Sequence, residues 1–117
     1  AALGYAVYAQ GKTAPAIANL EKALKLDPDN ANALNSLGFI LAENSIKIDL
    51  ARQYCERAVQ RHPSNAAYLD SLALVDRRTG HLQRAKELYE QAVRLSQGRA
   101  EIVSHYKEFL REAGVEV

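Results

Sequence analysis

The stretch AIANLEKALKLDP, residues 16–28, recurs twice further along the chain in related form. Its counterparts are ARQYCERAVQRHP at residues 51–63 and AKELYEQAVRLSQ at residues 85–97. All three carry alanine at the first and eighth places, and the eighth-place alanines follow one another at intervals of 35 and 34 residues. A fixed period of this length is the signature of a repeat architecture. The chain is therefore predicted to be built from three related units.

A second apolar-periodic stretch precedes each of these strings. Its members are Leu3, Gly4 and Val7, then Leu37, Gly38 and Leu41, then Leu69, Leu72, Ala73 and Val75. Spacings of three and four residues place such side chains on one face of a helix, whereas the alternation typical of a strand is nowhere sustained. Each unit is therefore predicted to be a pair of helices.

Turn-forming residues fall where helix pairs need them. Gly11 and Gly80 are predicted between the first and second helices of their units, because glycine readily takes the left-handed conformation that ends a helix. Pro28 and Pro63 are predicted to end the second helices, and Pro15 is tolerated in a first turn. The candidate N-caps of the helices are Thr13, Asp29, Asn30, Ser64 and Asn65.

This order of residues resembles the tetratricopeptide repeat. The resemblance rests on Leu-Gly, an aliphatic residue, a turn glycine, the two alanines and a closing proline, and it covers essentially the whole chain. The tryptophan of the family pattern is absent, ENSIKID replaces the turn glycine of the second unit, and Gln97 replaces the third closing proline. The resemblance implies an all-α, right-handed α-α superhelix.

The resemblance also implies the domain organisation. We expect a single domain over residues 1–117, with repeats at about 1–29, 30–64 and 65–98 and a capping helix at about 99–114. Arrays need such a helix because the last repeat otherwise exposes its apolar side. An apolar stripe from Ile102 to Ala113 is predicted to face the third unit, and the opposite polar face, with His105 and Glu108, is predicted to be solvated. The start Ala-Ala, without methionine, suggests a piece of a longer product.

In this family the first helices of the pairs line the concave side, which is the usual ligand surface. Aromatic and amide groups alternate there, a mixture suited to holding a peptide. Tyr5, Tyr8 and Phe39 could instead fill space between helices. On the family pattern the concave residues are Tyr5, Tyr8, Asn32, Asn35, Ser36, Phe39, Glu43, Asp70, Ser71, Leu74, Arg77 and Arg78.

One subgroup of the family holds the C-terminal carboxylate of chaperones with lysine, arginine and asparagine on the concave face. This chain resembles that subgroup poorly, because Ala67, Asp70 and Ser71 stand where positive charge is needed. Arg77 and Arg78 could meet an acidic partner, or could form a solvated face near a helix end.

Composition and single residues narrow the function further. The net charge of +1 argues against a nucleic-acid partner. The chain has no apolar run long enough to predict insertion into a membrane. The cellular compartment is not predicted. The three histidines lack the spacing of a helical metal site, and Cys55 is expected to be a buried apolar residue. No cofactor motif or catalytic cluster is present, so we expect no enzyme activity.

Two hypotheses of function remain. The first is a protein interaction module that binds a peptide or protein segment in the concave groove. The second is a scaffold that associates with copies of itself through an uncapped N-terminal edge. Partner identity is not contained in the residues.

Overall fold

The part of the chain that the structure describes is built from helices joined by turns. The computed structural model describes the backbone of residues 2–114 and the side chains of residues 12–114, and over that range it contains no strand. The prediction of an all-α fold is confirmed. The helices are α1 (Ala2–Leu26), α2 (Ala31–Glu43), α3 (Ile48–Arg61), α4 (Ala66–Arg78), α5 (Leu82–Leu95) and α6 (Ala100–Glu112).

The helices pack in two layers. The hairpins α2/α3 and α4/α5 correspond to the second and third repeats, and α3 packs against α4 between them. Within residues 2–114, α2 and α6 both contact α4 but do not contact each other. The inner layer is therefore a shallow groove in which α4 forms the floor and α2 and α6 form the walls.

The first helices of the two hairpins begin in the same way. The Asn30 side chain accepts a hydrogen bond from the Ala33 amide at 3.0 Å, and the Asn65 side chain accepts one from the Tyr68 amide at 3.1 Å. Of the candidate caps, these two asparagines are confirmed, whereas Asp29 and Ser64 lie in the preceding turns. Each cap satisfies one amide that has no partner within the helix.

The two hairpin turns differ in their chemistry. Gly80 connects α4 to α5 with a φ of 79°, as its position predicts. In the longer ENSIKID turn, Ser45 and Lys47 take φ values of 53° and 46°. A side chain in this left-handed region costs roughly 1–2 kcal/mol, so the α2/α3 hairpin closes without glycine at the expense of local strain.

Small residues occupy the contact between the helices of each hairpin. Ala51, Ala58, Ala85 and Ala92 are fully buried. A Cβ atom added to Gly38 would lie 2.5 Å from the Cys55 Sγ atom. Ala16 and Ala23, the corresponding alanines of α1, are only half-buried. Close packing through small residues therefore holds for the second and third units and is looser in the first.

The predicted turn at Gly11 is wrong, because α1 is one continuous helix through Gly11, Thr13 and Pro15. Thr13 consequently lies inside the helix and is not its cap. Glycine in a helix costs only about 1 kcal/mol relative to alanine, and the flanking sequence is rich in alanine, the best helix former. Pro15 removes one backbone hydrogen bond but does not end the helix. The first unit is thus one long helix packed on α2.

Candidate binding groove

Two adjoining cavities lie along the inner groove. The first, of about 210 Å³, is lined by Phe39, Glu43, Asp70, Leu74, Arg77, Arg78, Tyr89, His105 and Glu108. The second, of about 340 Å³, is lined by Asn35, Ser36, Phe39, Ile40, Ala67, Asp70, Ser71, Glu101 and His105. Phe39, Asp70 and His105 line both. The cavities are therefore neighbouring parts of one groove, which we call the inner groove.

Most of the residues selected from the sequence come together here. Asn32 lies outside both cavities, where its Oδ1 accepts a hydrogen bond from the Tyr68 hydroxyl at 2.7 Å. Tyr5 and Tyr8 fall outside the residues whose side chains are described. The predicted residues that line the cavities are Asn35, Ser36, Phe39, Glu43, Asp70, Ser71, Leu74, Arg77 and Arg78.

Helix α6 supplies a wall that the sequence analysis missed. Its apolar residues Ile102, Phe109 and Leu110 are buried as expected. The polar face, however, turns Glu101, His105 and Glu108 toward the groove, so the expectation of a purely solvated face is wrong. The signal was available, because these three residues share one helical face through spacings of four and three. Their partner surface on α4 was not visible in the sequence.

Asp70 lies on the floor of the inner groove, and its carboxylate is incompletely paired. The residue is 9% exposed, and its Oδ2 lies 2.9 Å from the His105 Nδ1. No protein group donates to its buried Oδ1, and the buried Oδ1 of Asn35 likewise has no protein partner. Burial raises the pKa of Asp70, while the neighbouring His105 acts in the opposite direction. Two residues that line the second cavity, Asn35 and Asp70, therefore each carry a buried acceptor that lacks a donor from the protein.

Arg77 is engaged by the chain itself. Its side chain is only 8% exposed, and its Nε donates to Glu112 Oε2 at 2.8 Å, while its terminal nitrogen contacts Glu112 and Glu108. The hydrogen bonds to Glu112 raise the pKa of Arg77. Arg78 donates to the Ala42 carbonyl at 3.3 Å. The sequence analysis predicted that Arg77 either lies on a solvated face or meets an acidic partner. Both predictions are wrong for Arg77, because its side chain is buried and already paired with glutamates of α6.

Comparison with known proteins is consistent with this architecture. One family model, described as TPR repeat, matches residues 4–45, and a second, described as tetratricopeptide repeat, matches residues 65–97. The chain belongs to the tetratricopeptide repeat (TPR) family. The resemblance inferred from the alanine period is thereby confirmed, although neither match covers the ENSIKID turn beyond its first three residues.

A TPR repeat-containing protein of Pseudomonas aeruginosa is 36% identical over 81 residues, which is 66% of this chain and 14% of that protein. The chain therefore spans about one seventh of the length of this curated relative. Among solved structures, the first TPR of Spaghetti (RPAP3) bound to HSP90 peptide SRMEEVD matches with a TM-score of 0.75 at 21% identity, covering 95% of this chain and 87% of that one. MamA from Desulfovibrio magneticus matches with a TM-score of 0.76 at 23% identity, covering 95% and 62%. These likenesses show the TPR fold.

The inner groove of this TPR domain is acidic. Its two cavities are lined by the carboxylates of Glu43, Asp70, Glu101 and Glu108 and by only two guanidinium groups. Arg77 is matched by Glu112 in addition to Glu108. The groove therefore offers an approaching ligand more negative than positive charge.

A second polar cluster lies outside the inner groove and ties the TPR hairpins together. Asp76 is fully buried, and its Oδ1 forms an ion pair with the Arg52 guanidinium at 2.8 Å. The same Arg52 nitrogen donates to the Thr79 Oγ1 at 3.0 Å. Since Arg52 belongs to α3 and Asp76 to α4, this cluster fixes the second repeat against the third.

The cysteine and the other histidines that the sequence analysis considered are in contact with neighbouring side chains of the protein. Cys55 is buried, as predicted, and burial raises the pKa of its thiol to about 12. At neutral pH it is protonated and is therefore a poor nucleophile. His62 packs against the Tyr68 ring at a centroid distance of 6.0 Å, and His81 Nδ1 lies 2.7 Å from the Thr79 hydroxyl.

In the part of the chain whose side chains are described, no helix has the length and apolar character needed to cross a membrane.

Proposed function

We propose that this TPR domain binds an extended segment of another protein in the inner groove. The observation that carries the proposal is the sharing of Phe39, Asp70 and His105 between the two cavities. A ligand crossing α4 would meet apolar contacts and buried acceptors along one continuous path. The family is a protein interaction fold, and the neighbouring Spaghetti structure holds a peptide, which favours a peptide ligand here as well.

Phe39 would be the apolar anchor. It stands on α2 at the boundary between the cavities, with Leu74 in one and Ile40 in the other. Aromatic side chains at the centre of an interface contribute much of its binding free energy. Asn35 would accept a hydrogen bond from the ligand, because its buried Oδ1 has no protein donor. The proposal assigns binding and no catalytic step to these residues.

The test is a peptide display selection on the immobilised domain, followed by affinity measurements on the selected peptides. Phe39→Ala is expected to weaken binding about tenfold or more, and Asn35→Ala by about fivefold. Leu82→Ala is the matched control, since Leu82 is an exposed apolar side chain outside both cavities. Selected peptides that bind all three variants as tightly as the original domain would remove the inner groove as the site.

Self-association is the alternative, and the packing of α1 favours it. Leu26 is 85% exposed, and Ala16 and Ala23 are half-buried where their equivalents in α3 and α5 are fully buried. A second copy of the chain could cover this side of α1. Light scattering over a range of concentrations separates the two functions, because a mass that stays at 12.9 kDa excludes the scaffold for this segment.

A further inference from the structure

We infer that the ligand of the inner groove presents a cationic side chain, lysine or arginine, and that this cation binds at the carboxylate of Asp70. The inference rests on the proposed function, since it specifies the partner of the same groove. It concerns the chemistry of the partner and not its identity.

The first support is the buried acceptor. Asp70 is more than nine-tenths buried, and it lines both cavities. His105 occupies its Oδ2, but no protein group donates to Oδ1. A buried acceptor without a donor destabilises a protein, so a ligand that supplies the donor gains from pairing it. Ammonium and guanidinium groups are pure donors, with three and five N–H groups.

A second acceptor extends the same site. The buried Oδ1 of Asn35 also lacks a protein donor, and Asn35 lines the second cavity together with Asp70 and Glu101. One cation can donate to several oxygens at once, whereas a neutral hydroxyl or amide satisfies fewer. The volume of about 340 Å³ is large enough for the end of a long side chain.

Charge complementarity is the third support. The carboxylates along the groove outnumber its guanidinium groups, and Arg77 is already paired with Glu112 and Glu108. An acidic peptide would place its carboxylates beside Asp70, and since Arg77 is engaged, only the exposed Arg78 would be left in the groove to receive them. Like charges brought together in this way suppress a partner, and opposite charges favour one.

The wall above Asp70 suits the stem of such a side chain. Phe39 lines both cavities beside Asp70, with Ile40 in the second and Leu74 in the first. Lysine and arginine pack their methylene stems on apolar surfaces while the charged end reaches a polar partner. The same side chain could therefore contact Phe39 and Asp70 together.

The experiment uses an array of short synthetic peptides with uncharged flanking residues and a single central lysine, arginine, glutamine or glutamate. Labelled domain is expected to bind the lysine and arginine peptides about tenfold more tightly than the glutamine peptides. Asp70→Asn should abolish this preference, so that the lysine, arginine and glutamine peptides bind the variant with similar affinity. Glu101→Gln, an exposed position on the same cavity, should reduce the preference about threefold. Glu87→Gln removes one charge on α5 outside the cavities and should change nothing.

The outcomes separate the inference from the function on which it rests. If glutamine or glutamate peptides bind as tightly as lysine peptides and Phe39→Ala weakens them, the groove binds peptides but the cationic ligand is wrong. If Asp70→Asn stays folded by circular dichroism and keeps the lysine preference, the inference is also wrong. If Phe39→Ala leaves the binding of every peptide class unchanged, the groove is not the site and both proposals are overturned.

Discussion

The imidazole of His105 touches the carboxylate of Asp70 at 2.9 Å, and this contact joins α6 to α4 across the inner groove. The two residues are 35 positions apart, about one repeat length. The contact leaves one carboxylate oxygen of Asp70 buried and without a protein donor. This half-paired carboxylate connects the stability of the domain to its proposed ligand.

Asp70→Asn should stabilise the free domain at neutral pH. Burial raises the pKa of Asp70 above its ordinary 3.8, so the folded state holds the proton more tightly than the unfolded state. The resulting penalty is absent below pH 3.8, develops as the pH rises through the folded-state pKa, and is fully present above it. Urea unfolding should therefore show an advantage of the variant at pH 7 that vanishes near pH 3.5. A variant less stable than the original domain at pH 7 would contradict this sign.

Glu112→Gln should have the opposite dependence on pH. The hydrogen bond from Arg77 lowers the pKa of Glu112 below 4.5. Its contribution is present above pH 4.5 and is lost as the pH falls through the lower folded-state pKa. Since the Glu112 side chain is 53% exposed, solvent screening limits the loss at pH 7 to about 0.5 kcal/mol. Equal free energies of unfolding for variant and original at pH 7 would show that the pair contributes nothing; Glu87→Gln is the exposed control.

Ala58→Leu should destabilise the domain by roughly 1–3 kcal/mol, because Ala58 is fully buried where α3 packs against its neighbours. Ala23→Leu, at the equivalent place in half-buried α1, should cost less. Thermal melting of both variants measures the difference. Equal losses would mean that the repeat position, and not the local packing, sets the tolerance for a larger side chain.

Gly38→Ala should also cost roughly 1–3 kcal/mol, since the new Cβ would lie 2.5 Å from the Cys55 Sγ and 3.1 Å from the Ala51 carbonyl oxygen. Removing the sulfur with Cys55→Ala should relieve the shorter contact. The double variant is therefore expected to be more stable than the sum of the two single losses predicts. If the losses in unfolding free energy of the two single variants add up to that of the double variant, the helices move slightly apart to make room for the new Cβ and the contact with the sulfur is not what costs stability.

The groove residues on α2 and α4 were predictable, whereas the sequence showed a shared polar face on α6 but not that this face is turned toward α4. Asn35, Phe39, Asp70 and Leu74 follow from helical spacing together with the family pattern. The position of His105 in the groove depends on which face of α6 is turned toward α4. No local pattern encodes that orientation, because it arises from the packing of Tyr89 against Phe109 and Tyr106 between α5 and α6.

By itself, the sequence determined the alanine period, the helical hairpins α2/α3 and α4/α5, and a short set of candidate caps that includes Asn30 and Asn65, because helix periodicity and capping are set by residues within a few positions of one another. Only the tertiary structure decided that α1 runs unbroken through Gly11 and Pro15, that Arg77 is neutralised by α6, and that Asp70 keeps an unpaired oxygen. These features depend on contacts between side chains about one repeat apart or on the balance of weak helix preferences. The free energies of these contacts therefore depend on how the two layers of helices pack together.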